Sequence, residues 1–216
     1  MNWLTYTFTS SIGKKAVMAV TGSILGLFVL VHLIGNITSF WGRSAFIQYA
    51  EHLHSFGVLL TIFEIILVVV FLLHVIFALN LYIQNLQSRP RRYMVDKSSG
   101  GQTWGSKTMP YTGLLVFIFL IFHLVHFQAP KEPMPSADII RHTLSQTGYA
   151  ALYIISVLAL ALHVSHGFWS MFQSLGWDHP KYTPGIKAGA LVLSILIGTL
   201  FSSIPLLTLF CPGFLK

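Results

Sequence analysis

Acidic residues are scarce. Six Asp and Glu stand against 13 Lys and Arg, and charged residues make up only 9% of the 216-residue chain, where a soluble domain commonly carries about 25%. Hydrophobic residues reach 54%, so lipid rather than water is the expected solvent. Cysteine is nearly absent: Cys211 stands alone, which excludes an intramolecular disulfide and a thiolate-held iron–sulfur cluster built from this chain alone. The apolar stretches also lack the alternation of strands. The formal net charge of +7 comes from residues lying between apolar runs, which membrane topology explains; nucleic acid is excluded as a partner.

Long apolar runs and histidines are what the chain has in abundance. Five runs, 15–40, 57–86, 109–128, 148–174 and 186–210, are each long enough to cross a hydrocarbon layer about 30 Å thick. Turn formers and charges divide them: Trp41-Gly42-Arg43, Ser88-Arg89-Pro90, the stretch from Pro130 to Pro135, and Asp178-His179-Pro180 with Pro184-Gly185. The pattern predicts an all-α integral membrane protein, one domain over 1–216, with five transmembrane helices of which the first four form a bundle. The first run follows Lys14-Lys15 as a signal sequence would, but it is longer than an ordinary signal core and four spans follow it, so it reads as a retained helix. Nine basic residues (Lys14, Lys15, Arg89, Arg91, Arg92, Lys97, Lys107, Lys181 and Lys187) fall on one side, and four (Arg43, Lys131, Arg141 and Lys216) on the other. This asymmetry predicts a cytoplasmic N-terminus and basic loop 87–108, with the C-terminus outside. The outer segments 43–56 and 136–147 read equally well as short interfacial helices or as plain loops.

Six of the ten histidines fall inside the predicted spans: His32 in the first, His74 in the second, His123 and His126 in the third, His163 and His166 in the fourth. An ionisable side chain in hydrocarbon is costly, so each is a functional candidate. The bland alternative is a neutral histidine that bonds a neighbouring helix. Depth distinguishes them. Measured from the middle of each span, His32 and His123 lie about 7 Å toward the outside, and His74 and His163 about 3–4 Å toward the cytoplasm. Successive helices run in opposite directions, so this agreement does not follow from sequence position alone. Two pairs result, with levels about 10 Å apart. Paired imidazoles on facing helices suit the axial positions of a haem, whereas zinc asks for three or four ligands converging at one level. Two b-type haems are expected, His32 with His123 and His74 with His163.

A short repeat supports the choice. Thr21-Gly22 precedes His32 as Thr112-Gly113 precedes His123, with ten residues from each glycine to its histidine. Eleven helical steps return almost to the starting direction, so each threonine shares a face with its histidine, three turns nearer the cytoplasm. There it could contact the other haem or its propionates, or simply allow close helix packing. The repeat selects His123, although depth alone would allow His126; distance from the cytoplasmic end selects His163 over His166. His126 and His166 are expected at span edges, against propionates, quinone or water. Glu64, the one carboxylate well inside a span, reads as a proton donor or acceptor for a quinone, or as a protonated acid bonded between helices.

These stretches resemble the dihaem cytochrome b subunit of succinate:quinone oxidoreductases, which include menaquinol:fumarate reductases, in which one five-helix chain anchors the complex. The resemblance runs from about residue 13 to 210. It is carried by TGSILGLFVLVHLIGN around His32, FEIILVVVFLLHVIFALNLYI around His74, TGLLVFIFLIFH ending at His123, and LHVSHGFWS from His163, with Gly176-Trp177 after it. It implies His74 and His163 as ligands of a cytoplasm-proximal haem, and His32 and His123 of a distal one. It further implies a flavoprotein partner with covalent FAD that interconverts succinate and fumarate, an iron–sulfur partner, menaquinone as exchangeable substrate, and residence in a bacterial inner membrane. Loops 87–108 and 175–185 are then the docking surfaces. Some fumarate reductases of this kind carry a glutamate two residues before the fourth-span ligand; Ala161 stands here, which argues against that proton path. The chain itself would catalyse nothing on the dicarboxylate. Two other readings stay open at this point: the cytochrome b subunit of another quinone-linked oxidoreductase, of hydrogenase or formate dehydrogenase type, and a haem-free histidine-lined transporter or proton channel.

Overall fold

The polar residues that flank the apolar runs extend the helices rather than end them. In the computed structural model, which describes residues 9–88, 104–127 and 134–216, the order is α1 (Ser11–Ile37), a 3-10 turn Thr38–Trp41, α2 (Arg43–His54), α3 (Val58–Gln87), α4 (Trp104–Phe127), α5 (Ser136–Leu144), α6 (Thr147–Ser174) and α7 (Thr183–Phe210). Strands are absent among the described residues. Five helices, α1 with its 3-10 extension, α3, α4, α6 and α7, are long and apolar enough to cross a membrane. The chain is an integral membrane protein. Arg89, Arg91, Arg92 and Lys97 of the basic loop, and Lys131 with Pro130 of the later turn, lie outside the described residues.

The Ser10 hydroxyl caps α1, accepting from the Gly13 amide at 3.0 Å. α1 thus starts ahead of the apolar run and takes in Lys14 and Lys15. α4 begins at Trp104 rather than at the expected 109, so Lys107 belongs to the helix and not to the loop before it. Hydropathy marks where lipid begins, but backbone hydrogen bonds carry a helix on into the headgroup layer, where lysines can reach water on long apolar stems.

Packing is uneven. α6 and α7 make the tightest pair, because Ala190, Ser194, Gly198 and Ser202 recur every fourth residue down one face of α7, and all four are buried. Small side chains let helix backbones approach closely in lipid, where no hydrophobic force drives helices together. A methyl group added at Gly198 would sit 3.4 Å from Ala161 Cβ. α6 also packs on α4 and α1, and α1 on α3. α3 buries no residue within the chain, as expected of a helix that is apolar all round and faces lipid.

At the end of the bundle where α1 and α4 finish, α2 and α5 form a cap. Both expected surface segments are therefore helical. Two glycines with positive φ, Gly42 (107°) and Gly57 (51°), bracket α2; such backbone is open to glycine and costly for other residues. α5 buries Ala137, Ile140, Thr143 and Leu144. Ala137, Ile140 and Leu144 build the main core cluster with Phe46 of α2, Tyr153, Ile204 and Leu215, and Arg43 Nη2 binds Asp138 Oδ2 at 2.6 Å across the α2–α5 contact.

The order span, surface helix, span occurs twice, as α1–α2–α3 and as α4–α5–α6. Thr21 and Thr112, Gly22 and Gly113, and His32 and His123 are each separated by about 90 residues, as are His74 and His163. The short Thr-Gly-His repeat is thus one part of a three-helix repeat, to which α7 is added.

Candidate functional site

Four histidines meet in two pairs. The ring centroids of His32 on α1 and His123 on α4 are 5.8 Å apart, with planes at 88°. Those of His74 on α3 and His163 on α6 are 6.4 Å apart, with planes at 70°. Each ring is set by its place on a helix: His32 and His123 lie in the last turns of α1 and α4, beneath the cap, whereas His74 and His163 lie deep inside α3 and α6. Among the described residues no three His, Cys, Asp or Glu side chains gather as a metal cluster would require.

Thr21 and Thr112 turn to the deeper pair. Thr21 Oγ1 lies 3.1 Å from His74 Nδ1, and Thr112 Oγ1 lies 3.3 Å from His163 Nδ1. The glycine after each threonine makes room for the same ring. A Cβ on Gly22 would come within 3.2 Å of His74 Cε1, and one on Gly113 within 3.3 Å of His163 Cε1. Both threonines are buried. The expected contact with the group at the other level is therefore made, within the protein, to the histidines of that level.

The pair beneath the cap has other surroundings. Phe28 stacks on His32 at 5.5 Å, and Phe201 of α7 approaches it at 5.7 Å. Phe119, Phe127 and Tyr153 lie 5.6, 5.2 and 6.0 Å from the His123 ring. His123 Nδ1 is buried and has no hydrogen-bond partner among the described residues. His126, one turn beyond, is 3.3 Å from the Tyr153 hydroxyl through Nδ1 and meets the Tyr149 ring edge-on at 4.7 Å. Between the two levels Phe71 of α3 and Phe117 of α4 meet ring to ring, 6.0 Å apart and nearly parallel. Nothing in the sequence singled out these aromatics, because phenylalanine is common in any lipid-facing helix.

The levels are further apart than expected. Since Thr21 touches His74, the eleven residues from Thr21 to His32 measure the step, about 16 Å of helix rise. Span midpoints gave about 10 Å because helices of 24 to 30 residues do not share one midplane. His166 lies one turn from His163, its ring 5.6 Å from Trp169. Glu64 sits half-buried near the start of α3, at the capped end. Ala161 faces Gly198 across the tight α6–α7 contact, which leaves little space for a longer acid. At the other end of the bundle, in the turn before α7, Thr183 donates a hydrogen bond to Asp178. That bond is the main reason the Asp178 carboxyl is held below its ordinary range, with help from Gln173 and the nearby Lys187 and His179 charges. Lys187 itself lies over the Trp169 ring at 4.6 Å.

Over 161 residues, 70% of this chain and 73% of the other, the sequence is 26% identical to the succinate dehydrogenase cytochrome b558 subunit of Bacillus subtilis (strain 168). The chain resembles the cytochrome b anchor subunits of succinate dehydrogenase. No family model matches it, and no solved structure matches it. The resemblance read from the residues around the four histidines and the similarity to this succinate dehydrogenase subunit agree.

Proposed function

We propose that this chain is the membrane-anchoring dihaem cytochrome b subunit of a succinate:quinone oxidoreductase, passing electrons between an iron–sulfur subunit and membrane menaquinone. The observation that carries the reading is the pairing of four intramembrane histidines, two by two, on facing helices. With ring centroids 5.8 and 6.4 Å apart, each pair of imidazoles could hold one metal ion between them. The residues present therefore fit two bis-imidazole haems b, one held by His74 and His163, the other by His32 and His123.

Haem b supplies one-electron carriage, and the polypeptide does the rest. The four histidines fix two carriers at different depths, and lipid-facing helices keep water from both. Oriented by the positive-inside rule, the His74/His163 pair is proximal to the cytoplasm, where the flavoprotein with its FAD and the iron–sulfur subunit would dock on the turn 175–185 and the basic loop 87–108. The capped end then faces outward in a bacterial inner membrane. There Glu64 and the hydrogen-bonded His126 are the groups able to hold the protons that a quinone gains or loses with its electrons. His166 is assigned to the water-accessible edge of the proximal site.

Spectroscopy of the purified complex tests the reading. A reduced b-type α band equal to two haems per chain is expected. His32→Ala and His123→Ala should each remove one of them, and His74→Ala and His163→Ala the other. Absence of any b-type band from haem-replete cells would leave the haem-free transporter. Loss of the same haem from all four variants would break the pairing.

A further inference from the structure

We propose that Thr21 and Thr112 are positioning residues that hold His74 and His163 as Nδ1–H tautomers, so that each presents its Nε2 lone pair to the metal from a ring already oriented by the protein. The inference rests on the dihaem reading and adds to it an asymmetry between the two sites.

A threonine hydroxyl has one hydrogen to give and lone pairs to receive with. Thr21 Oγ1 lies 2.7 Å from the Val17 carbonyl and 3.2 Å from that of Met18, neither of which can donate, so its hydrogen is committed to its own helix. Toward His74 Nδ1 at 3.1 Å the hydroxyl can then only accept, and the proton on that bond belongs to the imidazole. Thr112 repeats the arrangement, with the Thr108 and Met109 carbonyls at 3.1 and 3.2 Å and His163 Nδ1 at 3.3 Å. With Nδ1 protonated in a neutral ring, Nε2 is the free base. Gly22 and Gly113 complete each cradle, since a methyl group at either would press on the Cε1 edge of the ring, within 3.2 and 3.3 Å. Two cradles on different helices, about 90 residues apart in sequence, serve two histidines that face one another. A packing role for small residues explains why a threonine and a glycine fit there. It does not explain why both hydroxyls aim at the same nitrogen. Hydrogen bonds to the far nitrogen of a metal-bound imidazole fix its tautomer and increase its basicity, which favours the oxidised metal.

The test compares wild type, Thr21→Val, Thr112→Val, the double variant, and Thr21→Ser with Thr112→Ser, all as the full membrane complex. Redox titration at the α band follows both haems, and transfer of haem to excess apomyoglobin reports retention. Each valine should move one midpoint, that of the haem lost in His74→Ala, to more positive potential, and weaken its retention by about 10- to 100-fold. The other haem should keep its midpoint and serve as the folding control in the same sample. Serine should restore both properties. The inference is overturned if the double valine variant leaves both midpoints and retention unchanged, if the shift falls on the other haem, if both haems are lost together, or if serine behaves as valine. Wild-type complex without b-type haem would instead sink the dihaem reading itself, so the two failures are distinguishable.

Discussion

The two histidine pairs stand on different helices of one bundle, α1 with α4 and α3 with α6, and they are secured by different means. His74 and His163 are each met by a buried hydroxyl and a glycine notch on a neighbouring helix. His32 and His123 are enclosed by Phe28, Phe201, Phe119, Phe127 and Tyr153, and one nitrogen of His123 has no partner among the described residues. Directional bonds fix orientation at the first site, where α3 has no fully buried residue. Shape fixes it beneath the cap, where aromatic rings surround the pair.

On the proposed dihaem reading, deleting one of the four paired histidines is the largest break in this comparison, one haem per variant. Next comes the notch. Gly22→Val or Gly113→Val drives branched carbons into the His74 or His163 ring, a cost of about 1–3 kcal/mol by analogy with overpacked cores, and should deplete that haem alone in a pyridine haemochrome assay. Gly26→Val, where nothing lies within 4 Å of the added carbon, should retain both; equal depletion in Gly26→Val would discard the notch. On the aromatic side, Phe201→Ala should perturb the spectrum and midpoint of the His32/His123 haem only. Its stability cost should be about 1–2 kcal/mol, below the value for a fully enclosed phenylalanine.

Smaller effects lie at the two ends. Asp138→Asn breaks the Arg43 pair, whose side chains are 33% and 28% exposed; thermal unfolding in detergent should change by no more than about 1 kcal/mol, with the His74/His163 haem unaltered. A larger loss, or one felt at both haems, would mean that the cap governs more than the site beneath it. Asp178 should matter least. Because its carboxyl is held below the ordinary range, the stabilisation is present above that range and lost as pH falls through the lowered value. Wild type should therefore lose protease resistance in the 175–182 turn at acid pH, while Asp178→Asn should show little such dependence; parallel curves for the two would remove Asp178 from the account.

The spans and the paired histidines were legible in the sequence because hydrocarbon penalises what does not belong in it, so six histidines stood out against the apolar runs. The spacing of Thr21, Gly22 and His32 was legible as a repeat, but its partner was not. A period of eleven shows which residues share a face, not which neighbouring helix that face meets, and the threonines turned out to touch His74 and His163. Helix ends were displaced where Lys14, Lys15 and Lys107 carry a helix on past the apolar run. The segments 43–56 and 136–147 were evenly balanced between helix and loop until the contact of Phe46 with the α5 face gave them something to pack on. The aromatic enclosure, Phe201 above all, could not be picked out, because 17 phenylalanines offer no means of telling an enclosing ring from a lipid-facing one.

The twofold order of span, surface helix and span has a consequence for how the protein is made. Each pair takes one histidine from each half, so a nascent chain that has inserted α1, α2 and α3 holds two ligands and no complete site. Insertion of α4 supplies His123, but α1 and α4 each pack on α6, so both pairs wait for α6. α7 follows, closes its line of small residues against α6 and sets Phe201 beside His32, so the ring that finishes the His32/His123 site comes after its other parts in the chain.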